Sequence, residues 1–249
     1  MLRNNFFKKL LIAVFWILLW QISFSIINKS LLIDVPTPIM TVNAFIRLSG
    51  HWSFWESVLY TLLRVVLGFC ISVLVGVTMG YLSHKIKGVD LFFSPVLRLI
   101  RAVPVAAFIF LVFLWVDTVY IPQLIAFLTV LPIIWESTKK ALSTVDKGLV
   151  EMARVMGMKT KQTLRFIVFP SIKPHLTAAF ITGLGFSFKS GVAAEVICKN
   201  AKSLGELLWV GKSSVAYDEV FAVTAVIILL SFFLEWIIKK LLREGVGND

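Results

Sequence analysis

Six apolar runs, most of them close to the length a bilayer requires, alternate with short polar stretches along this 249-residue chain. Crossing hydrocarbon as a helix takes about 20 predominantly apolar residues, because every backbone N–H and C=O must find its partner inside the segment. The runs predict spans at residues 10–27, 56–82, 97–116, 121–137, 174–197 and 220–238. The expected fold class is therefore all-α and integral to a membrane, with six transmembrane helices and no separate soluble domain. Composition agrees. Only 16% of the residues are charged, against about 25% in soluble domains.

Basic residues orient the loops. Lys and Arg number 25 against 14 Asp and Glu, a net charge of +11 that invites a nucleic-acid reading. Their distribution argues otherwise: 18 of the 25 fall in residues 1–9, 83–101, 139–173 and 238–249, and only 5 in residues 28–55 and 198–216. This alternation is the positive-inside pattern, and it predicts a multi-pass protein of the inner (cytoplasmic) membrane with both termini cytoplasmic. The partner it implies is a lipid bilayer, not nucleic acid.

Arg3, Lys8 and Lys9 precede the first run in the manner of a signal peptide, and Ser23-Phe24-Ser25 offers a small-x-small site. The length of the run, with Trp16 and Trp20 inside it, favours an uncleaved span. Residues 28–55 read as an outer loop in which Pro36 and Pro38 break regular structure. In the second run Gly68, Ser72, Gly76 and Gly80 recur every four residues, which predicts a helix face that a neighbour can approach closely. Ser94-Pro95 reads as the start of the third helix, with Pro104 a kink inside it. Asp117 to Tyr120 form a very short outer turn, and Pro174 opens the fifth span.

The inner stretch 139–173 contains EMARVMGMKTKQTLRFIVFP, from Glu151 to Pro170. Leu149 to Met156 predicts a short helix closed by Gly157, a residue suited to the left-handed turn that ends helices. A second helical run starts near Thr160 as N-cap and stops before Pro170. Met152, Met156 and Met158, three of the six methionines, supply soft and adaptable contact surface. Glu151 and Arg154, three apart, can pair or present charge to a partner. Two short helices at an elbow between spans predict a docking element.

Glu151, Ala153 and Gly157, followed after nine residues by Ile167-Val168-Phe169-Pro170, have the spacing of a known motif. They resemble the EAA loop of ATP-binding-cassette (ABC) importer permeases, with Met152 in place of an alanine and Phe169 in place of a leucine. The runs TLLRVVLGF (Thr61–Phe69), RLIRAVPVAAF (Arg98–Phe108), GVAAEV (Gly191–Val196) and SLGELL (Ser203–Leu208) look like the nitrate/sulfonate/taurine branch of that family. The resemblance implies the type I ABC importer permease fold, with the loop acting as a coupling helix in a cleft of a cytosolic ATPase dimer. It also implies a second permease chain, most simply another copy of this one, and an extracytoplasmic binding protein that delivers a small, nitrate- or sulfonate-like solute. The ATPase-coupling positions it indicates are Glu151, Met152, Ala153, Met156, Gly157, Ile167 and Pro170.

No HExxH, GxSxG or GxxxxGK[ST] pattern occurs, so no catalytic, cofactor or metal site is expected on this chain. ATP with its Mg belongs on the partner ATPase under the importer reading. Cys70 and Cys198 fall at opposite depths and predict no disulfide, while His51, His84 and His175 read as solvated residues at span ends. Arg64, Lys189 and Glu195 are ionisable groups in or near spans, where charge is costly unless it meets a water-filled path or a partner. They are the candidates to line a path that favours an anion, the plainer reading being that neighbouring helices satisfy them. Lys189 and Glu195, six apart, project from different helix faces. In the resembling branch the position of Lys189 is more often aromatic, which leaves the solute open. A rival reading is an ion-coupled secondary transporter that uses Arg64, Lys189 and Glu195 as a relay and leaves the elbow's spacing to chance.

Overall fold

A computed structural model describes residues 2–31 and 35–244 of the chain. The side chains of Arg3, Lys9 and Arg243, used above for orientation, lie outside the described residues, as do residues 32–34. The second apolar run becomes α3, Trp52–Lys85, and the fourth becomes α6, Ile121–Ser143. The stripe of small residues on α3 is turned onto α6. A Cβ added to Gly76 would lie 2.8 Å from Ile134 Cβ, and one added to Gly80 would lie 2.6 Å from the Trp135 carbonyl oxygen. Ser72 Oγ donates to the Phe127 carbonyl at 2.6 Å. Lipid offers no hydrophobic drive between helices, so this backbone-to-backbone approach supplies the dispersion contact that holds them together.

On its other side α6 packs against α9, Phe169–Cys198. Val130 and Ile134 of α6 meet Phe69 of α3 and Ala179 and Leu184 of α9 in one buried cluster. A second cluster joins Phe54 and Val58 of α3 to Val223 and Val226 of α11, Tyr217–Glu244. The two stretches expected as outer loops fold as well. Pro38 does not break structure but opens α2, Pro38–Ser49, where a first-turn proline forfeits no helical hydrogen bond; Thr37 Oγ1 accepts the Met40 N–H at 3.4 Å. The stretch 198–216 contains α10, Leu204–Ser213, capped by Ser203 Oγ on the Glu206 N–H at 2.9 Å.

The third expected span, 97–116, is not one rod. Its helix begins earlier, as α4 at Lys87–Ala102 with Pro95 inside it, and resumes as α5 at Val105–Phe113 after a bend of 103°. Pro104 forces Val103 into an extended conformation (φ −77°, ψ 125°) and offers no N–H, so the chain breaks there instead of kinking. Arg101, at the end of α4, ties the break to α6 by donating to the Pro132 carbonyl at 2.9 Å and pairing with Glu136 at 2.7 Å.

Four helices among the described residues are long and apolar enough to cross a membrane, Trp52–Lys85, Thr118–Ser143, Thr160–Cys198 and Tyr217–Lys240. The bent pair α4 and α5 raises the number to five. The first run lies in α1, Leu2–Leu31, of which the described residues give a shorter apolar stretch, Val14–Asn28, so the expected count of six is not confirmed among the described residues.

Gly76→Val should force α3 and α6 apart and cost about 1–3 kcal/mol. The measurement is the melting temperature of the detergent-solubilised protein, which should fall clearly below that of Leu74→Val, a change on the exposed face of the same helix.

Candidate functional site

The elbow between α6 and α9 is built from local backbone chemistry. α7, Lys147–Val155, starts where Asp146 Oδ1 accepts the Gly148 N–H at 2.7 Å. It ends at Gly157, whose φ of +76° lies in the left-handed region that a side chain disfavours. The Gly157 N–H reaches the Arg154 carbonyl at 3.0 Å and the Met158 N–H reaches the Ala153 carbonyl at 3.0 Å, the paired closing bonds of a Schellman turn. α8, Thr160–Thr163, follows, with Lys159 and not Thr160 at the cap: Gln162 Oε1 accepts the Lys159 N–H at 2.8 Å.

This second helix does not stop before Pro170. It widens into a π-type turn at Leu164–Val168, closed by the Phe169 N–H on the Leu164 carbonyl, and continues into α9. The wide turn absorbs the N–H that Pro170 lacks, so a proline that reads as a terminator sits in the first turn of a spanning helix.

The two faces of α7 differ in kind. Leu149, Met152 and Met156 are 43%, 51% and 74% exposed and form an open apolar face. Lys147, Val150, Glu151 and Arg154 point the other way and line a cavity of about 470 Å³ against Lys85 of α3 and Ser143 of α6. Ala153 is buried, Ile167 is half-buried in the wide turn, and Pro170 is exposed. The expected coupling residues therefore divide. The methionines present a soft surface outward, the charged pair faces the span ends, and Gly157 sets the angle between the two helices.

Arg64 and Glu195 come together across α3 and α9. Arg64 Nη1 lies 3.3 Å from Glu195 Oε1, and the Glu195 side chain is fully buried. Thr61 Oγ1 donates to Glu195 Oε2 at 2.8 Å and accepts the Leu204 N–H at 2.9 Å, while the Gly205 N–H approaches Glu195 Oε2 at 3.4 Å. The carboxylate thus fastens the positive N-terminal end of α10 to α3 and α9. Thr61 was not singled out from the sequence, although it precedes Arg64 by three residues and so shares its face. Lys189 stands apart from this cluster, exposed on another face of α9 and without an ion or hydrogen-bond partner among the described residues.

Comparison with known proteins agrees with this architecture. Residues 72–244 match the family model described as "Binding-protein-dependent transport system inner membrane component". The chain is 26% identical over 219 residues to the taurine transport system permease protein TauC of Escherichia coli, covering 84% of this chain and 78% of that protein. It is 26% identical over 224 residues to the putative aliphatic sulfonates transport permease protein SsuC of Bacillus subtilis, covering 88% and 79%. A bicarbonate transport system permease protein, CmpB of Synechococcus elongatus, is 23% identical over 203 residues, covering 77% and 70%. Two solved structures share the fold. One is a bacterial ABC transporter involved in import of the acidic polysaccharide alginate, with a TM-score of 0.61 and 16% identity, covering 96% of this chain and 95% of that one. The other is the MetNI methionine ABC transporter in inward-facing conformations, with a TM-score of 0.59 and 17% identity, covering 78% and 96%.

Removing Arg64 leaves a buried carboxylate without its ion partner, which costs about 3–5 kcal/mol. Arg64→Met alone should therefore destabilise more than Arg64→Met combined with Glu195→Gln. Melting temperatures of the single and double variants measure this, and additive losses would show that the two groups do not depend on each other.

Proposed function

Because the chain belongs to the inner membrane component family of binding-protein-dependent transport systems, a multi-pass inner-membrane permease of a type I ABC importer, we propose that α7 is its coupling helix and Leu149, Met152 and Met156 its contact with a cytosolic ATPase dimer. The observation that carries this reading is an exposed apolar face on a short helix, closed by a left-handed glycine and held between two spans. Such a face is costly in water and calls for a partner. Glu151, Arg154 and Lys147 behind it line a cavity against the ends of α3 and α6, the side toward which a push on the methionine face is directed. Ile167 and Pro170 continue the push into α9 through the wide turn.

Each chain offers one such helix among its described residues, which supports two permease chains per pair of ATPase subunits, most simply two copies of this one. ATP and its Mg bind the ATPase, and the chain itself is a transport subunit. Both termini are cytoplasmic by the distribution of Lys and Arg. An extracytoplasmic binding protein delivers the solute to the side carrying α2 and α10. Permeases named for taurine, aliphatic sulfonates and bicarbonate are relatives, and Lys189 within α9, unpartnered among the described residues, suits the oxyanion group those solutes share, so the solute is a small molecule bearing such a group. The rival ion-coupled relay is poorly supported, since Lys189 lies apart from the Arg64–Glu195 pair that would have to be its neighbours.

Gly157→Pro fixes φ near −65°, opposite in sign to the +76° the elbow adopts. The variant should insert in the membrane at normal amount yet lose co-purification of its ATPase and ATP-dependent uptake. Met156→Cys combined with Cys70→Ser, labelled in membranes with a short maleimide–photoreactive reagent, should become cross-linked to the ATPase on illumination. Normal uptake by the proline variant, or cross-linking to no nucleotide-hydrolysing subunit, would remove the coupling role from α7.

A further inference from the structure

The outward faces of the spans are not alike. Along α3 the exposed positions include Leu59, Leu63, Leu67, Ile71 and Leu74, and along α11 they include Leu229, Phe232, Phe233 and Trp236, all suited to lipid. Along one face of α9 they are His175, Ala178, Thr182, Phe186 and Lys189. Opposite the inner half of that face α6 contributes Ile133, Ser137 and Lys140, and the two helices flank an open groove of about 320 Å³.

Hydrogen-bonding capacity along this groove is unspent. Ser137, Lys140, His175, Thr182 and Lys189 have no hydrogen-bond or ion partner among the described residues. Hydroxyls just outside it are engaged: Thr138 donates to the Ile134 carbonyl at 2.8 Å, Ser187 to the Val65 carbonyl at 3.1 Å, and Thr129 meets Ser190 at 2.9 Å. Polar groups left open within a span are stable only against water or a polar solute. The nearby carboxylates are taken, Glu136 by Arg101 at 2.7 Å and Glu235, which lies against Gly185, by Lys239 at 3.4 Å. What the groove offers is three basic side chains and two hydroxyls.

We propose that this α6–α9 groove is the inner half of the solute path and contains a subsite for a compact oxyanion, formed by Ser137, Lys140, His175 and Thr182 and continued outward by Lys189. The inference rests on the importer reading above and adds to it a place and a set of residues. The groove is near the lower end of the range for small-molecule sites, about 300–1,000 Å³, and Ala178 and Ala179 leave its wall flat. A lipid headgroup does not explain the whole stripe. Lys189 is 14 residues beyond His175, about 21 Å along the helix axis, and so lies well away from the inner headgroups that His175 can reach.

The test uses thiol chemistry in native membranes, with the rest of the transporter present. Thr182→Cys and Ser137→Cys are each combined with Cys70→Ser, since Cys70 is exposed and Cys198 is buried. Inside-out vesicles are treated with the anionic sulfonatoethyl or the cationic trimethylammonioethyl methanethiosulfonate. Both introduced thiols should react, with the anionic reagent favoured about tenfold over its intrinsic ratio, the scale on which a cationic cleft concentrates counter-ions. Lys189→Gln should lower that preference, inorganic sulfate should slow the labelling of Thr182→Cys, and Leu229→Cys on α11 should stay unlabelled. No reaction at either groove position overturns the path. Reaction without anionic preference, or without protection by sulfate, overturns the oxyanion subsite. Labelling does not require the ATPase, so an elbow that fails to cross-link while the groove keeps its preference would fell the coupling reading alone.

Discussion

Close approach between α3 and α6 is the contact on which everything else is hung. In water two helices are driven together by the apolar surface they remove from solvent, but lipid tails are as apolar as leucine and provide no such drive. The helices instead come near enough for backbone to touch backbone, which the glycines at 68, 76 and 80 allow because nothing larger fits against Gln123, Ile134 and Trp135. Once α6 is fixed in this way its opposite side becomes a platform for α9, and its prolines and hydroxyls become fixed points to which Arg101 and Ser190 attach.

The elbow shows how one short helix serves two masters. Its charged side is turned inward to the ends of the spans, and its thioether side is left open. Had Glu151 and Arg154 faced outward, the contact with a partner would be a set of directional ion pairs, which hold one geometry and resist sliding. Methionines tolerate small rearrangements of the surface they meet, which under the coupling proposal would let the joint stay engaged while its partner changes shape.

Features with a local cause could be read from the chain. The apolar runs, the four-residue spacing of small residues and the helix closed at Gly157 each depend on neighbours within a turn or two. Features with a distant cause could not. Arg64 and Glu195 are 131 residues apart, and only the packing of α3 on α9 makes them a pair instead of two isolated charges. Proline proved ambiguous for the same reason. Pro38 opens a helix, Pro104 breaks one, and Pro170 is carried through by a wide turn, because the cost of its missing N–H depends on whether that position had a carbonyl to serve. The stripe from His175 to Lys189 was half visible: the lysine stood out as a charge in a span, whereas the histidine and threonine gain meaning only beside α6.

The unbroken run from Thr160 to Cys198 spans 39 residues, about 58 Å at the helical rise per residue. One tip hangs from the elbow, and the far tip holds the carboxylate that secures α10. A beam of that length pivoting near its middle moves both tips in opposite directions. A sideways shift of the elbow end would therefore swing the small helix at the far end the opposite way, with no relay of side chains needed in between.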